Sequence, residues 1–213
     1  MILCGFAGNG LSQESREALD EWNAEVLDFT GDDYAYWQAL CKRWGSLEPL
    51  LVMEQDHILT PKILASFACC REDWCCFSYK YAAPRHIIPL PDASGSTDWA
   101  AKAVTVFRQK ANTAAEKFVI LGGLGCTRFS AGLQRRIGSL DSSARILWDV
   151  VDNTLFPVLK AAGYAPHDHG QIPHEHKTFD LCLHPPGDAG TVEWHYVGYP
   201  TRYKVGPDWW RDE

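Results

Sequence analysis

Residues 49–53, Pro-Leu-Leu-Val-Met, form an apolar run with no polar alternation. A strand with one face in water alternates apolar and polar side chains. A strand that does not alternate is covered on both faces, as in a parallel sheet. The run stops at Glu54-Gln55-Asp56, and Pro61 is suited to the first turn of a helix over 61–68. The same rhythm recurs on either side. Residues 2–7 predict a strand closed by the turn signal Gly8-Asn9-Gly10, and Ser12 is placed to cap a helix over 12–23. A second strand is expected at 25–29. Asp32 or Asp33 is then placed to cap a helix at about 33–44, with Tyr34, Trp37, Leu40, Cys41 and Trp44 on one face. Residues 74–80 predict another strand. Strands alternating with helices predict an α/β fold with a mainly parallel sheet flanked by helices.

Beyond residue 80 the pattern loosens. Residues 83–98, rich in Pro, Ser, Gly and Asp, read as a loop, and 98–117 as a helix. Residues 118–121 predict a strand leading into the flexible stretch Gly122-Gly123-Leu124-Gly125-Cys126, followed by a short helix at 129–137. A long helix is expected at about 143–162, stopped by Gly163 and kinked or divided at Pro157. The last 50 residues are rich in His and Pro. They read as an irregular segment of strands and loops closing over a site, with the tail aromatics packed on the body of the protein. The expectation is one domain over 1–213: a nucleotide-binding half (1–80), an acceptor and catalytic half (98–176) and a C-terminal segment (177–213).

A formal net charge of −7 without a Lys/Arg run gives no general attraction to nucleic acid or anionic membrane. No window holds 18 apolar residues, so no membrane span is expected. No basic region precedes an apolar stretch at the start, and a cytoplasmic protein is expected. The eight cysteines are Cys4, Cys41, Cys69, Cys70, Cys75, Cys76, Cys126 and Cys182. The adjacent pairs lack knuckle spacing, so free, mostly buried thiols are expected.

Several groups carry chemistry. Glu54 and Asp56 are carboxylates one residue apart, just past a buried strand, and open α/β sheets bind ligands at such strand ends. Hard divalent cations prefer carboxylate oxygens and take only one or two from a protein when phosphates supply the rest. Asp152 opens an apolar helical stretch, with Asp149 one turn upstream. His167, His169, His174, His176, His184 and His195 crowd the end of the chain. On a strand, His174 and His176 would share a face.

Residues 50–64 resemble the acidic motif of GT-A glycosyltransferases, especially family-2-like enzymes of the small bacterial or phage type. Glu54 stands for the usual first Asp, Asp56 matches the second, and Pro61 falls five residues after Asp56. Residues 152–163 resemble the helix of the catalytic base in that family, with Asp152 eleven residues before Gly163. The usual Glu before the base is Val151 here. The resemblance implies a GT-A-like fold and a metal-dependent glycosyltransferase moving a sugar from a nucleotide-sugar donor to an acceptor hydroxyl, with inversion. It implies Mn²⁺ or Mg²⁺ at Asp56 with His174 or His176, and catalysis by Asp152 with Asp149 near it. Donor contacts would come from Phe6, Ala7, Gly8, Asp28, Glu54, Gln55, Gly123, Gly125 and Arg128. The acceptor stays open: a glycan, a lipid-linked sugar, a protein or a hydroxylated DNA base. Competing readings are a nucleotidyltransferase, a nucleotide-sugar hydrolase, and a non-enzymatic zinc-binding module built on the Cys pairs and the His cluster.

Overall fold

The computed structural model describes residues 1–6, 11, 13–55, 57–80, 83–117, 119–120, 123–172 and 180–210. Strands β1 (Ile2–Phe6), β2 (Glu25–Asp28) and β3 (Leu50–Glu54) alternate with helices α1 (Gln13–Glu21) and α2 (Ala35–Arg43). Helix α3 (Pro61–Cys69) and strand β4 (Trp74–Lys80) follow, close to the segments predicted from sequence. Helix α3 starts where Pro61, lacking an N–H, needs no acceptor and Thr60 accepts a bond from the Ile63 amide, at 3.3 Å.

Next come β5 (Ile87–Pro89), α4 (Ala100–Lys117), β6 (Val119–Ile120) and β7 (Cys126–Phe129). They are followed by α5 (Ala131–Ile137), α6 (Val151–Ala161) and β8 (His167–Gln171). The chain ends in β9 (Leu181–Leu183), β10 (Val192–Tyr196), β11 (Tyr203–Val205) and α7 (Pro207–Trp210).

The larger sheet runs β2-β1-β3-β7-β4, with β6 and β8 also paired to β4. Strands β2, β1 and β3 are mutually parallel, and β8 is parallel to β4. Strand β7 is antiparallel to both β3 and β4 and lies between them. The sheet is therefore mixed. Sequence reading missed β7: the glycines before it and the helix after it left only four residues of strand. Leu50 and Val52 pack with α2, α5 and α6, whereas Leu51 and Met53 pack with α1 and α3. Helices thus cover both faces, which explains the unbroken apolar run in β3.

Two expectations about helices are corrected. Residues 141–147 are not helical. Asp141 instead accepts bonds from the Ser143 amide and hydroxyl, a local turn that competes with helix. A 3₁₀ turn at Trp148–Val150 then leads into α6. Pro157 does not divide α6, which continues to Ala161. Val151, Leu155 and Leu159 form its buried stripe, while Pro157 is exposed, so the hydrogen bond it cannot make is lost on the side facing water.

The C-terminal segment is also more regular than expected. Strands β11-β10-β9-β5 make a second, four-stranded sheet. Its core joins Ile87, Leu181, Leu183 and Val192 to Ala103, Val106 and Phe107 of α4. Trp209 closes this core against Phe107, ring centroids 4.1 Å apart, so packing accounts for that tail aromatic. Among the described residues no helix is long and apolar enough to cross a membrane.

Phe129, fully buried at the end of β7, meets Trp44 edge-on at 5.2 Å and Trp74 at 6.3 Å. Phe129→Ala should cost about 3–5 kcal/mol of unfolding free energy, measured by urea denaturation followed by fluorescence.

Candidate functional site

The chain passes from β1 to β2 on one side, then returns past β1 to β3 on the other. Strand order thus reverses beside β1, and a crevice forms outside the carboxyl ends of such strands. The pocket there is lined by Gly5, Phe6, Phe29, Tyr36, Glu54, Gln55, Trp148 and Tyr199. Its walls are ring pairs. Phe29 stacks on Tyr36 at 5.3 Å, and Trp148 stacks on Tyr199 at 4.2 Å, 19° from parallel.

Acids surround this crevice. Asp33 is 1% exposed: its Oδ2 accepts a bond from the Thr201 amide at 2.6 Å, while its Oδ1 is buried with no partner among the described residues. Asp149 accepts the Tyr203 hydroxyl at Oδ2, 2.6 Å away, and its buried Oδ1 has no partner among the described residues. Among the described residues, neither Asp33, Asp149 nor Asp152 forms an ion pair with Lys or Arg.

The crowding shows in the tyrosines. Burial, then Glu54, with Asp152 a weaker contributor, holds the Tyr36 hydroxyl well above the ordinary range. Burial, Glu54, Asp33, Asp149 and Asp28 do the same for Tyr199. Burial and the bond to Asp149 raise Tyr203.

Asp152 sits in the first turn of α6 and lines a neighbouring pocket with Ile120, Gly123, Asn153, Phe156, Pro157 and Lys160. Burial raises its carboxyl above the ordinary range, opposed by hydrogen bonds that include the Asn153 amide at 2.7 Å, and nearby Asp149 adds to the rise. Tyr36 is within electrostatic reach of both Glu54 and Asp152.

The residues singled out from sequence divide accordingly. Phe6, Glu54 and Gln55 share the strand-end pocket, and Asp28 ends β2 beside it, its Oδ1 accepting from the Thr30 amide at 2.8 Å. Asp152 and Gly123 share the second pocket. Gly125 lies against the ring pair His57–Tyr79, where a Cβ would come within 2.5 Å of His57 Cε1 and 2.8 Å of Tyr79. Internal packing therefore requires that glycine. Arg128 is not brought to either pocket; its Nη1 donates to the Glu72 carbonyl at 3.2 Å and to Cys75 Sγ at 3.4 Å. Ala7, Gly8, Asp56, His174 and His176 lie outside the described residues.

Sequence reading missed Tyr36 and Trp148, and it treated Asp33 only as a helix cap. The α2 N-cap is Tyr34, and Asp33 instead binds Thr201 across 168 residues of chain. No local pattern reports a contact that long. The His cluster separates as well. His184 Nε2 and His195 Nδ1 are 3.0 Å apart on the four-stranded sheet, whereas His167 and His169 lie on β8.

No protein-family model matches the chain, and no curated protein matches it.

A carboxyl group whose proton is held more tightly in the folded chain stabilises the fold at acid pH. That contribution fades as pH rises through its raised folded value. Asp152→Asn keeps an acceptor for the Asn153 amide and removes the buried charge. The variant should melt about 1–3 °C higher than the parent near pH 7, and the gap should close below the ordinary carboxylate range, as followed by calorimetry.

Proposed function

We propose that the chain is a metal-dependent glycosyltransferase of the GT-A kind, moving a sugar from a nucleotide-sugar donor to an acceptor hydroxyl with inversion. One observation carries this reading: Glu54, at the carboxyl end of β3, lines the strand-end pocket with Tyr36, and Asp152, at the start of α6, is near enough to add to the rise of the Tyr36 hydroxyl. The donor-side acid lines the crevice at the switch point where open α/β sheets bind nucleotides, and the base-side acid lines a second pocket.

A divalent cation suits the donor set on this side. Among the described residues, buried carboxylate oxygens at Asp33 and Asp149 have no partner, and no Lys or Arg forms an ion pair with those acids. Mn²⁺ or Mg²⁺ would be held by Asp56, with Glu54 beside it and a His of the 174–176 pair as a further candidate. When bound, the ion neutralises charge on the departing diphosphate.

The chain's own groups supply the remainder. Phe6, Phe29 and the Trp148–Tyr199 stack form an apolar, water-poor wall suited to a base or sugar ring. Asp152 takes the proton of the acceptor hydroxyl. A raised carboxyl value makes it a stronger base than an ordinary surface Asp, since base strength rises as the conjugate acid weakens. Lys160, two turns further along α6 in the same pocket, offers a cation for a polar or acidic acceptor. Asp149, held by Tyr203, adds negative charge that keeps the Asp152 carboxyl value high.

The protein should gain thermal stability with nucleotide sugars in the presence of Mn²⁺, and little with either alone. Asp152→Asn should keep that gain while losing about 10²–10⁴-fold in transfer, measured as release of nucleoside diphosphate with an accepting sugar. Undiminished transfer in Asp152→Asn removes the assignment of the base.

A further inference from the structure

A second cluster of ligating side chains lies on the opposite face of the large sheet, under α3. Strand β8 pairs in parallel with β4, setting His167 opposite Cys75, and a register shift follows at Cys76–Ser78. His167 and His169 are two residues apart on one strand, so their rings share a face. The rings touch, with centroids 4.9 Å apart. His169 is steadied by Phe67 of α3 at 5.8 Å and Phe77 of β4 at 5.3 Å.

Cys70 caps α3 directly above. Its amide bonds back to the Ser66 carbonyl at 3.0 Å, which fixes where its side chain starts. The ligating atoms of Cys70, His167 and His169 all lie within 4.8 Å of one another. His169 Nε2 is buried and has no hydrogen-bond partner among the described residues, an arrangement that costs free energy unless something binds there. The surface above is a pocket lined by Ser66, Cys69, Arg71 and Glu72 together with the three ligating residues.

We infer that Cys70, His167 and His169 form a binding site for a zinc-class divalent cation, with the fourth position open to the pocket. A thiolate and two imidazoles select Zn²⁺ or Co²⁺ over Mg²⁺ or Ca²⁺, which prefer oxygen. Three protein ligands with one position open are the arrangement in which zinc keeps an exchangeable water. The site is separate from the acids around Glu54 and Asp152 and does not depend on the function proposed for them.

The same sulfur has a second partner. Cys70 and Cys75 are joined as a disulfide, against the expectation from sequence that all eight cysteines are free thiols. The sequence reading failed because β4 returns beside the end of α3, which brings together two cysteines five positions apart. A sulfur in that bond cannot serve as a thiolate, so metal binding and the Cys70–Cys75 bond exclude each other. A phosphine opens the bond by taking the oxygen of one water, leaving two thiols and a phosphine oxide. The Cys70 thiol then loses its proton to solvent as the ion binds.

The test is titration of the purified chain with Co²⁺, read by absorption. After phosphine reduction, one equivalent should give intense tetrahedral-type visible bands and a thiolate-to-cobalt charge-transfer band, both abolished by one equivalent of Zn²⁺. Without reduction the charge-transfer band should be absent. Cys70→Ser should lose it, and His167→Ala, at an exposed position, should weaken binding at least about 10-fold. Cys75→Ser should show the band without any reductant, because Cys70 then has no sulfur to pair with. Circular dichroism identifies any variant that fails to fold, in which case His167→Ala and Cys75→Ser decide. A band that survives Cys70→Ser, one lost only in Cys69→Ser, equal binding before and after reduction, or an octahedral-type spectrum overturns the assignment. The band should persist in Asp152→Asn, so its failure is distinguishable from failure of the transferase reading.

Discussion

Strand β3 is packed from both sides, and the rest of the molecule is arranged around that fact. Its alternate side chains feed two separate cores, one under α2, α5 and α6 and the other under α1 and α3. A slip of one residue would exchange the two sets and unmatch both cores, so the register of β3 is strongly fixed. The same register fixes where the strand ends. Glu54 is carried to the rim of the sheet, where its amide is held by the Gly125 carbonyl at 3.0 Å. The position of an acid at the crevice is therefore set by hydrophobic packing below it.

Acids gather at that rim, and among the described residues neither Asp33 nor Asp149 pairs with a Lys or Arg. Surface acids are ordinarily solvated, but here carboxylate oxygens of Asp33 and Asp149 are buried and have no partner among the described residues. Such an arrangement is costly, and it persists because the fold around it is over-determined by packing. The Tyr203 hydroxyl absorbs part of the cost by donating to Asp149. Sites that hold a cation, or use a carboxylate as a base, are places where such a cost has a chemical return.

How much of this was readable from sequence follows from the range of the interactions. The β1–β4 half was legible because each element announces itself locally, through the apolar run of 50–53, Pro61, and the aromatic spacing of 37–44. Asp152 was legible as the start of an apolar helix, although the helix begins later than its composition suggests. Asp33, Trp148 and Tyr199 were not, because their partners lie far away in the chain. Strand β7 was obscured for a different reason: it is short, antiparallel, and begins at glycines whose role is to let His57 and Tyr79 sit against the backbone. The final sheet was hidden because its fourth strand, β5, belongs to a Pro-rich stretch more than 90 residues earlier.

The stretch after β10 reaches back across the crevice at three points. The Gly31 amide donates to the Gly198 carbonyl at 2.7 Å, the Thr201 amide to Asp33, and the Tyr203 hydroxyl to Asp149. These bonds lie within six residues of chain and grip β2, α2 and the approach to α6 at once. All three arise from one short stretch of chain, so the placement of that stretch sets the width of the crevice at three points. The same stretch ties the small sheet to the crevice, because β10 and β11 bracket the strap on either side.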